Sequence, residues 1–161
     1  MGTRGLHKVI NSRGQVKVKQ YSQWDNYPSG QGLDTLRYLR SADLVKYQKN
    51  LNKVHKITKA EGELVDSDSN WKKTYPHMSR DCGANIHNLI EDGKVKFLAH
   101  ISDKEANYWC EGFWTIDFKN NTFTSKYYDN EAVFNLDALP TDEDYLKAMG
   151  VDEDEIVSVT K

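Results

Sequence analysis

Residues 108–118 constrain the fold more than any other stretch of this 161-residue chain. Tyr108, Cys110, Gly112, Trp114, Ile116 and Phe118 share one face of an extended chain, and Trp109, Glu111, Phe113, Thr115 and Asp117 share the other. Both faces carry aromatic rings. A strand of this kind belongs at the centre of a sheet that is covered on both sides. Its expected neighbours follow directly: Thr122–Tyr128 reads as the next strand, joined through the turn at Lys119, Asn120 and Asn121, and Ala132–Leu136 as a short further one. Val95–Ile101 reads as a strand preceding it.

The N-terminal part adds a hairpin. Leu6, Val9 and Ile10 supply the apolar positions of a strand over 3–10, and Val16, Val18 and Tyr21 those of a strand over 16–21. Asn11, Ser12, Arg13 and Gly14 between them form a turn signal. Helical spacing appears elsewhere. Leu33, Leu36 and Leu39 mark a short helix. Leu44, Tyr47, Leu51 and Val54 mark a second over 42–57, capped by Ser41, with Lys46, Lys49, Lys53 and Lys56 on its opposite side. Ser79 is positioned to cap a third helix over 80–91, with Ile86, Leu89 and Ile90 inward, Gly83 inside it and Gly93 as its stop. Thr141 and Asp144 resemble a capping box ahead of Tyr145, Leu146 and Met149. Residues 61–70 read as an acidic, polar loop. The expected fold is therefore α+β: an antiparallel sheet of five or six strands packed with three or four helices. It should form one domain over 1–150, followed by a fraying acidic tail over 151–161.

Composition narrows the function classes. Hydrophobic residues make up 38% of the chain and aromatics 11%, enough for a globular core and not the signature of disorder. No apolar run approaches the ~20 residues a membrane helix needs, and the N-terminus carries no apolar signal region, so a cytoplasmic location is expected. The net charge of −2 conceals an asymmetry: residues 1–60 carry +9 and residues 61–161 carry −11. Such a division suits a basic face for phosphates and an acidic face for a protein partner. Five histidines show no i, i+4 pair and the two cysteines no CxxC spacing, so neither a metal nor another cofactor is expected. Asp66, Asp68 and Asn70 alternate as in a calcium loop but lack its glycine and distal glutamate.

The block from Gln20 to Gly32 is the candidate site. It places Tyr21, Trp24, Asp25, Tyr27, Pro28, Ser29, Gly30 and Gly32 between a strand and a helix start. Glycine amides at a helix start attract phosphate or carboxylate, and rings beside them stack a base. In this reading Tyr21, Trp24 and Tyr27 stack, Ser29 and the Gly30 and Gly32 amides hold an anion with Arg4, and Asp25 accepts from a donor. Arg80 and Asp81 are either second members of the site or a structural ion pair. The expected ligand is nucleotide-like, with nucleic acid a lesser candidate.

The opening Met1, Gly2, Thr3, Arg4, Gly5, the Gln20–Tyr21 pair and the block from Trp24 to Gly32 resemble a family of small uncharacterised proteins encoded by bacteriophages, prophages and bacteria. Ser79, Arg80, Asp81 and Gly83, and the strand Ile116, Asp117, Phe118, extend that resemblance over most of residues 1–140. It implies an accessory role such as blocking a host defence protein. A fainter similarity links the N-terminal strand, hairpin and following acid to N-terminal nucleophile hydrolases of the cholylglycine type. There a Cys exposed by loss of Met attacks an amide. Gly2 occupies that position here, which implies a degenerate enzyme unless trimming exposes Thr3. The expectation is thus a non-enzymatic binding protein that holds a nucleotide-like ligand or a host defence protein through residues 20–32. The alternatives are the hydrolase and an inhibitor acting through charged surfaces.

Overall fold

A computed structural model describes residues 2–161 and shows an α+β architecture. The main sheet has five strands: β1 (Gly5–Ile10), β2 (Val16–Ser22), β5 (Gly112–Asp117), β6 (Thr122–Tyr127) and β7 (Asn130–Asn135), in the order β2-β1-β5-β6-β7. The ring-rich strand is the central one, as its two-sided pattern requires. Trp114 and Ile116 are fully buried on one face, while Phe113 and Thr115 on the other are half-buried. The sheet is not wholly antiparallel. β1 runs parallel to β5, with His7 beside Trp114 and Val9 beside Ile116, and the remaining pairs are antiparallel. A parallel pair needs a long connection, and here it runs through β2 and then residues 23–111.

That connection carries most of the helices. They are α1 (Leu33–Ser41), α2 (Leu44–Leu51), α3 (Lys59–Ser67), α4 (Trp71–Thr74), α5 (Asn85–Glu91) and α6 (Asp103–Trp109). A two-stranded parallel ladder, β3 (His55–Lys56) with β4 (Phe97–Leu98), ties its middle together. After β7 come α7 (Asp142–Ala148) and α8 (Glu153–Thr160). One core lies between the sheet and its helices. Leu33, Leu36, Leu39, Tyr47, Leu51, Ile86, Ile90, Tyr145, Leu146 and Ile156 pack against Val9, Val18, Trp114, Ile116 and Phe123. No helix among the described residues is long and apolar enough to cross a membrane.

Several expectations are corrected, each for an identifiable reason. Among the described residues there are eight α-helices where three or four were expected. Most of the stretch 61–70, read as a loop, belongs to α3 (Lys59–Ser67), which forms because Thr58 and Glu61 make a reciprocal capping box. Residues 103–109 form α6 under an equivalent Ser102–Glu105 box, so the central strand begins at Gly112 and not at Tyr108. Ser79 does not cap a helix over 80–91. Its hydroxyl accepts from the Asp81 amide in a turn, Gly83 takes a left-handed φ of 55°, and the helix starts only at Asn85. The second helix ends at Leu51, and the strand expected over 95–101 shrinks to Phe97–Leu98.

The acidic tail is also corrected. Residues 153–160 form α8, and Ile156 is buried in the core with Val159 packed beside it. Truncating a buried isoleucine loses both its transfer free energy and its packing. Ile156→Ala is therefore expected to cost about 3 kcal/mol, while Val157→Ala, half-exposed on the same helix, should cost under about 0.5 kcal/mol. Urea unfolding of the two variants checks this; equal and negligible effects would mean that α8 is not part of the core.

Candidate functional site

The block from Gln20 to Gly32 is organised by a residue outside the predicted set, Asn26. Its side chain is fully buried. The two hydrogens of the Asn26 amide nitrogen are shared among four acceptors within reach: the Thr3 carbonyl at 3.1 Å, the Ser22 carbonyl and hydroxyl at 3.0 and 3.1 Å, and the Trp24 carbonyl at 3.1 Å. Its carbonyl oxygen accepts from the Trp114 indole at 3.0 Å. The Asn26 backbone N–H reaches the Thr3 carbonyl at 3.0 Å. Glycines on β1 and β5 make room for this residue, Gly5 for its side chain and Gly112 for its backbone carbonyl. A Cβ on Gly5 would meet Asn26 Oδ1 at 2.3 Å, and one on Gly112 would meet the Asn26 carbonyl at 2.4 Å.

The loop glycines serve the same packing. A Cβ on Gly32 would strike the Tyr145 hydroxyl at 2.3 Å and the Trp114 ring at 2.8 Å, and one on Gly30 would strike the Asp25 carbonyl at 2.3 Å. Residues 28–32 form a π-helical turn leading into α1. Within it the Gly30 and Gly32 amides donate to the Tyr27 carbonyl at 3.0 and 3.4 Å, and the Gln31 amide to the Asp25 carbonyl at 2.8 Å. The glycine amides expected to hold an anion are thus already bonded within the turn. The surroundings are also acidic. The Tyr27 phenol is pushed up by burial, then by its hydrogen bond with Asp25 and by the charges of Asp25, Glu155 and Asp34.

The predicted site residues do not converge on one cavity. Tyr21 stands on the sheet face away from the core, edge-on to Trp109 at 5.9 Å, and with Arg80 lines a small cleft of about 180 Å³. Arg4 lies close enough for its charge to favour the ionised Tyr21 phenol and Cys110 thiol. Its backbone is tied to Glu111, by its N–H to the Glu111 carboxylate at 2.8 Å and by its carbonyl to the Glu111 amide at 2.8 Å. Trp24 is 42% exposed and donates its indole N–H to Asp81 at 2.7 Å. Asp81 pairs with Lys72 at 3.4 Å, and among the described residues makes no ion pair with Arg80. That indole bond and the neighbouring Lys72 hold the Asp81 carboxyl below its usual range. Asp25 adopts a left-handed φ of 59° and accepts from the Tyr27 hydroxyl at 3.2 Å.

Tyr27 and Ser29 lie elsewhere again. With Tyr127, Asp152, Glu155 and Val159 they line a cleft of about 660 Å³ between the loop and α8. Gln31 turns to a third cleft of about 460 Å³, beside Asp34, Arg37, Tyr38 and Cys82. Sequence reasoning missed the α8 wall because the acidic run was read as a tail; Ile156 and Val159 at i, i+3 were the available signal.

Both cysteines are free, and burial pushes each thiol up to about 12, Cys82 in the turn before α5 and not in a helix. Gly2, where an N-terminal nucleophile would stand, has no room for a side chain: a Cβ would lie 2.3 Å from the Gln23 carbonyl and 2.6 Å from the Trp24 ring. Removal of Met1 falls outside the described residues. No group of three or more His, Cys, Asp or Glu side chains that could hold a metal occurs among the described residues.

His7 and His87 form a buried pair, edge-on at 5.7 Å, with Tyr38 stacked on His87 and the Tyr47 hydroxyl 2.8 Å from His87 Nδ1. Both His7 nitrogens and His87 Nε2 lack a hydrogen-bond partner of complete geometry. Comparison with protein-family models, curated proteins and solved structures finds no match for this chain.

The histidine pair gives a pH dependence with a definite sign. Burial lowers His7 from 6.5 to about 4 and lowers His87 well below 6.5. The unfolded chain therefore takes up protons before the folded one as pH falls below 6.5, and stability should decline between pH 6.5 and about 4. The expected slope is about 1.4 kcal/mol per pH unit for each histidine. Urea midpoints at pH 7, 6 and 5 measure it, and His7→Phe should flatten the slope. A midpoint independent of pH over this range would contradict neutral burial.

Proposed function

We propose that this protein is a non-enzymatic binding protein that takes a basic segment of a protein partner into the cleft between residues 27–29 and α8. The observation that carries this reading is the lining of that cleft, where the rings of Tyr27 and Tyr127 stand with the carboxylates of Asp152 and Glu155. Burial raises both phenols first, and the charge of Glu155 adds to it at each. A lysine or arginine entering there meets aromatic faces and carboxylates together, an arrangement that favours a cation. The volume, about 660 Å³, accommodates more than one side chain. Ser29 and Pro28 form the opposite lip, so the 20–32 block contributes as a wall.

Of the two ligand classes, the protein partner fits this site better than a nucleotide-like molecule. Phosphates placed near residues 29–32 would face Asp25, Asp34 and Glu155, and the turn amides are already bonded to Tyr27. The resemblance to phage-encoded proteins supplies the setting, an anti-defence role against a host protein, and the chemistry supplies the character of the captured segment.

Fluorescence anisotropy with a labelled oligo-arginine peptide at low salt tests this. Wild type should bind, and Glu155→Lys, a change at an exposed position, should weaken binding by about tenfold or more. Thermal stabilisation by a member of a nucleotide panel, with peptide binding absent or insensitive to Glu155→Lys, would overturn the reading.

A further inference from the structure

The face of the sheet away from the core carries a second charged cleft, independent of the α8 site. Lys8 on β1 and Lys19 on β2 are direct cross-strand neighbours in the antiparallel register. Like charges placed opposite one another destabilise a strand pair. Both side chains point to the face opposite Val9 and Val18, and Lys17 lies two residues along on that face. The segment following β4 runs beside this edge. Its Ile101 amide donates to the Lys19 carbonyl at 3.1 Å, and His100 Nε2 lies 3.3 Å from the Lys17 carbonyl. The resulting cleft, about 540 Å³, is lined by Lys8, Lys19, Lys56 and His100.

One carboxylate offsets this charge directly. Asp103 pairs with Lys19, whose side chain is only 15% exposed, while Asp103 itself is 85% exposed. Glu105, also on the rim, is engaged in the capping box at Ser102. Burial lowers the His100 imidazole, its hydrogen bond to the Lys17 carbonyl works against that, and the nearby charges of Lys56, Lys19 and Lys17 lower it further. A like-charged pair on adjacent strands, a third lysine from β3 and one exposed carboxylate paired with Lys19 together describe a cavity whose repulsion a multivalent anion would relieve.

We propose that this cleft binds a phosphate-rich anion, contacted by Lys8, Lys19 and Lys56, with Asp103 displaced from Lys19 as the anion enters. The shared chemistry is a run of phosphates, carried either on a small molecule or on a nucleic-acid backbone. A single strand that follows the cleft would meet α6, which lies against β1 on this face.

Isothermal titration of the full chain with sodium tripolyphosphate tests the proposal through two variants of opposite expected effect. Lys8→Gln should weaken binding about tenfold, the scale of one charge-assisted contact. Asp103→Asn, which removes the competing carboxylate, should tighten it by several-fold. Lys49→Gln, on α2 and outside the cleft, should leave it unchanged. Competition by short oligodeoxythymidylate would assign the phosphates to a nucleic-acid backbone, and competition by nucleoside triphosphates alone would assign them to a small molecule. Absence of tripolyphosphate binding, or equal weakening by Lys8→Gln and Lys49→Gln, would overturn the proposal. Because Glu155 lies on the other side of the sheet, Glu155→Lys should not alter tripolyphosphate binding, which separates this site from the peptide cleft.

Discussion

The hydrogen bonding of one buried asparagine side chain sets the arrangement of everything around the loop. Asn26 joins the start of the chain at Thr3, the end of β2 at Ser22 and the central strand at Trp114. A buried amide that lost these partners would carry a desolvation penalty of about 1–3 kcal/mol per unpaired group, so the loop has little freedom to move without unfolding its surroundings. The sheet accommodates Asn26 by placing glycine at position 5, against its side chain, and at position 112, against its backbone carbonyl, on neighbouring strands in direct register. Gly32 then lets the Trp114 ring and the Tyr145 hydroxyl close over the turn. A sequence block that looks built for phosphate is first of all a packing solution, and its chemistry is confined to the surfaces it leaves exposed.

The signals that were legible in the sequence were local. The β1–β2 hairpin, the β5–β6–β7 meander, the Leu33–Leu36–Leu39 stripe and the Thr141 cap all depend on residues within one element or one turn of each other. The parallel pairing of β1 with β5 has no local code, since it joins residues about 107 positions apart, as the Arg4–Glu111 contact shows. The capping boxes at Thr58–Glu61 and Ser102–Glu105 were present as spacing and predict α3 and α6. At the site the failure has a different origin. Tyr21, Trp24 and Tyr27 recur at every third residue, but strand alternation and the left-handed turn at Asp25 place Tyr21 and Tyr27 in separate clefts and leave Trp24 exposed against Asp81. Asn26 carried no visible mark, because burial of one polar side chain among rings is a property of the assembled sheet.

The charge asymmetry of the chain takes a spatial form in the fold. The basic first third gives the lysines of β1, β2 and β3 on one face, and the acidic last part gives α8 on the other side of the sheet. Separation by the sheet explains how both potentials persist in a chain whose net charge is only −2. It also makes the two proposed binding surfaces independently addressable by single charge changes. The neutral histidine pair sits apart from both, near the core end of α1 and α5, where its effect is on stability.

If Asn26 locks the 20–32 loop into the sheet as one cooperative unit, the Trp114 indole N–H, which donates to Asn26, reports it in native-state hydrogen exchange. That proton should exchange only through global unfolding, with the same free energy and the same denaturant dependence as the most protected amides of β5. Exchange through a low-energy, denaturant-independent opening would show instead that the loop detaches on its own and that Asn26 does not lock it.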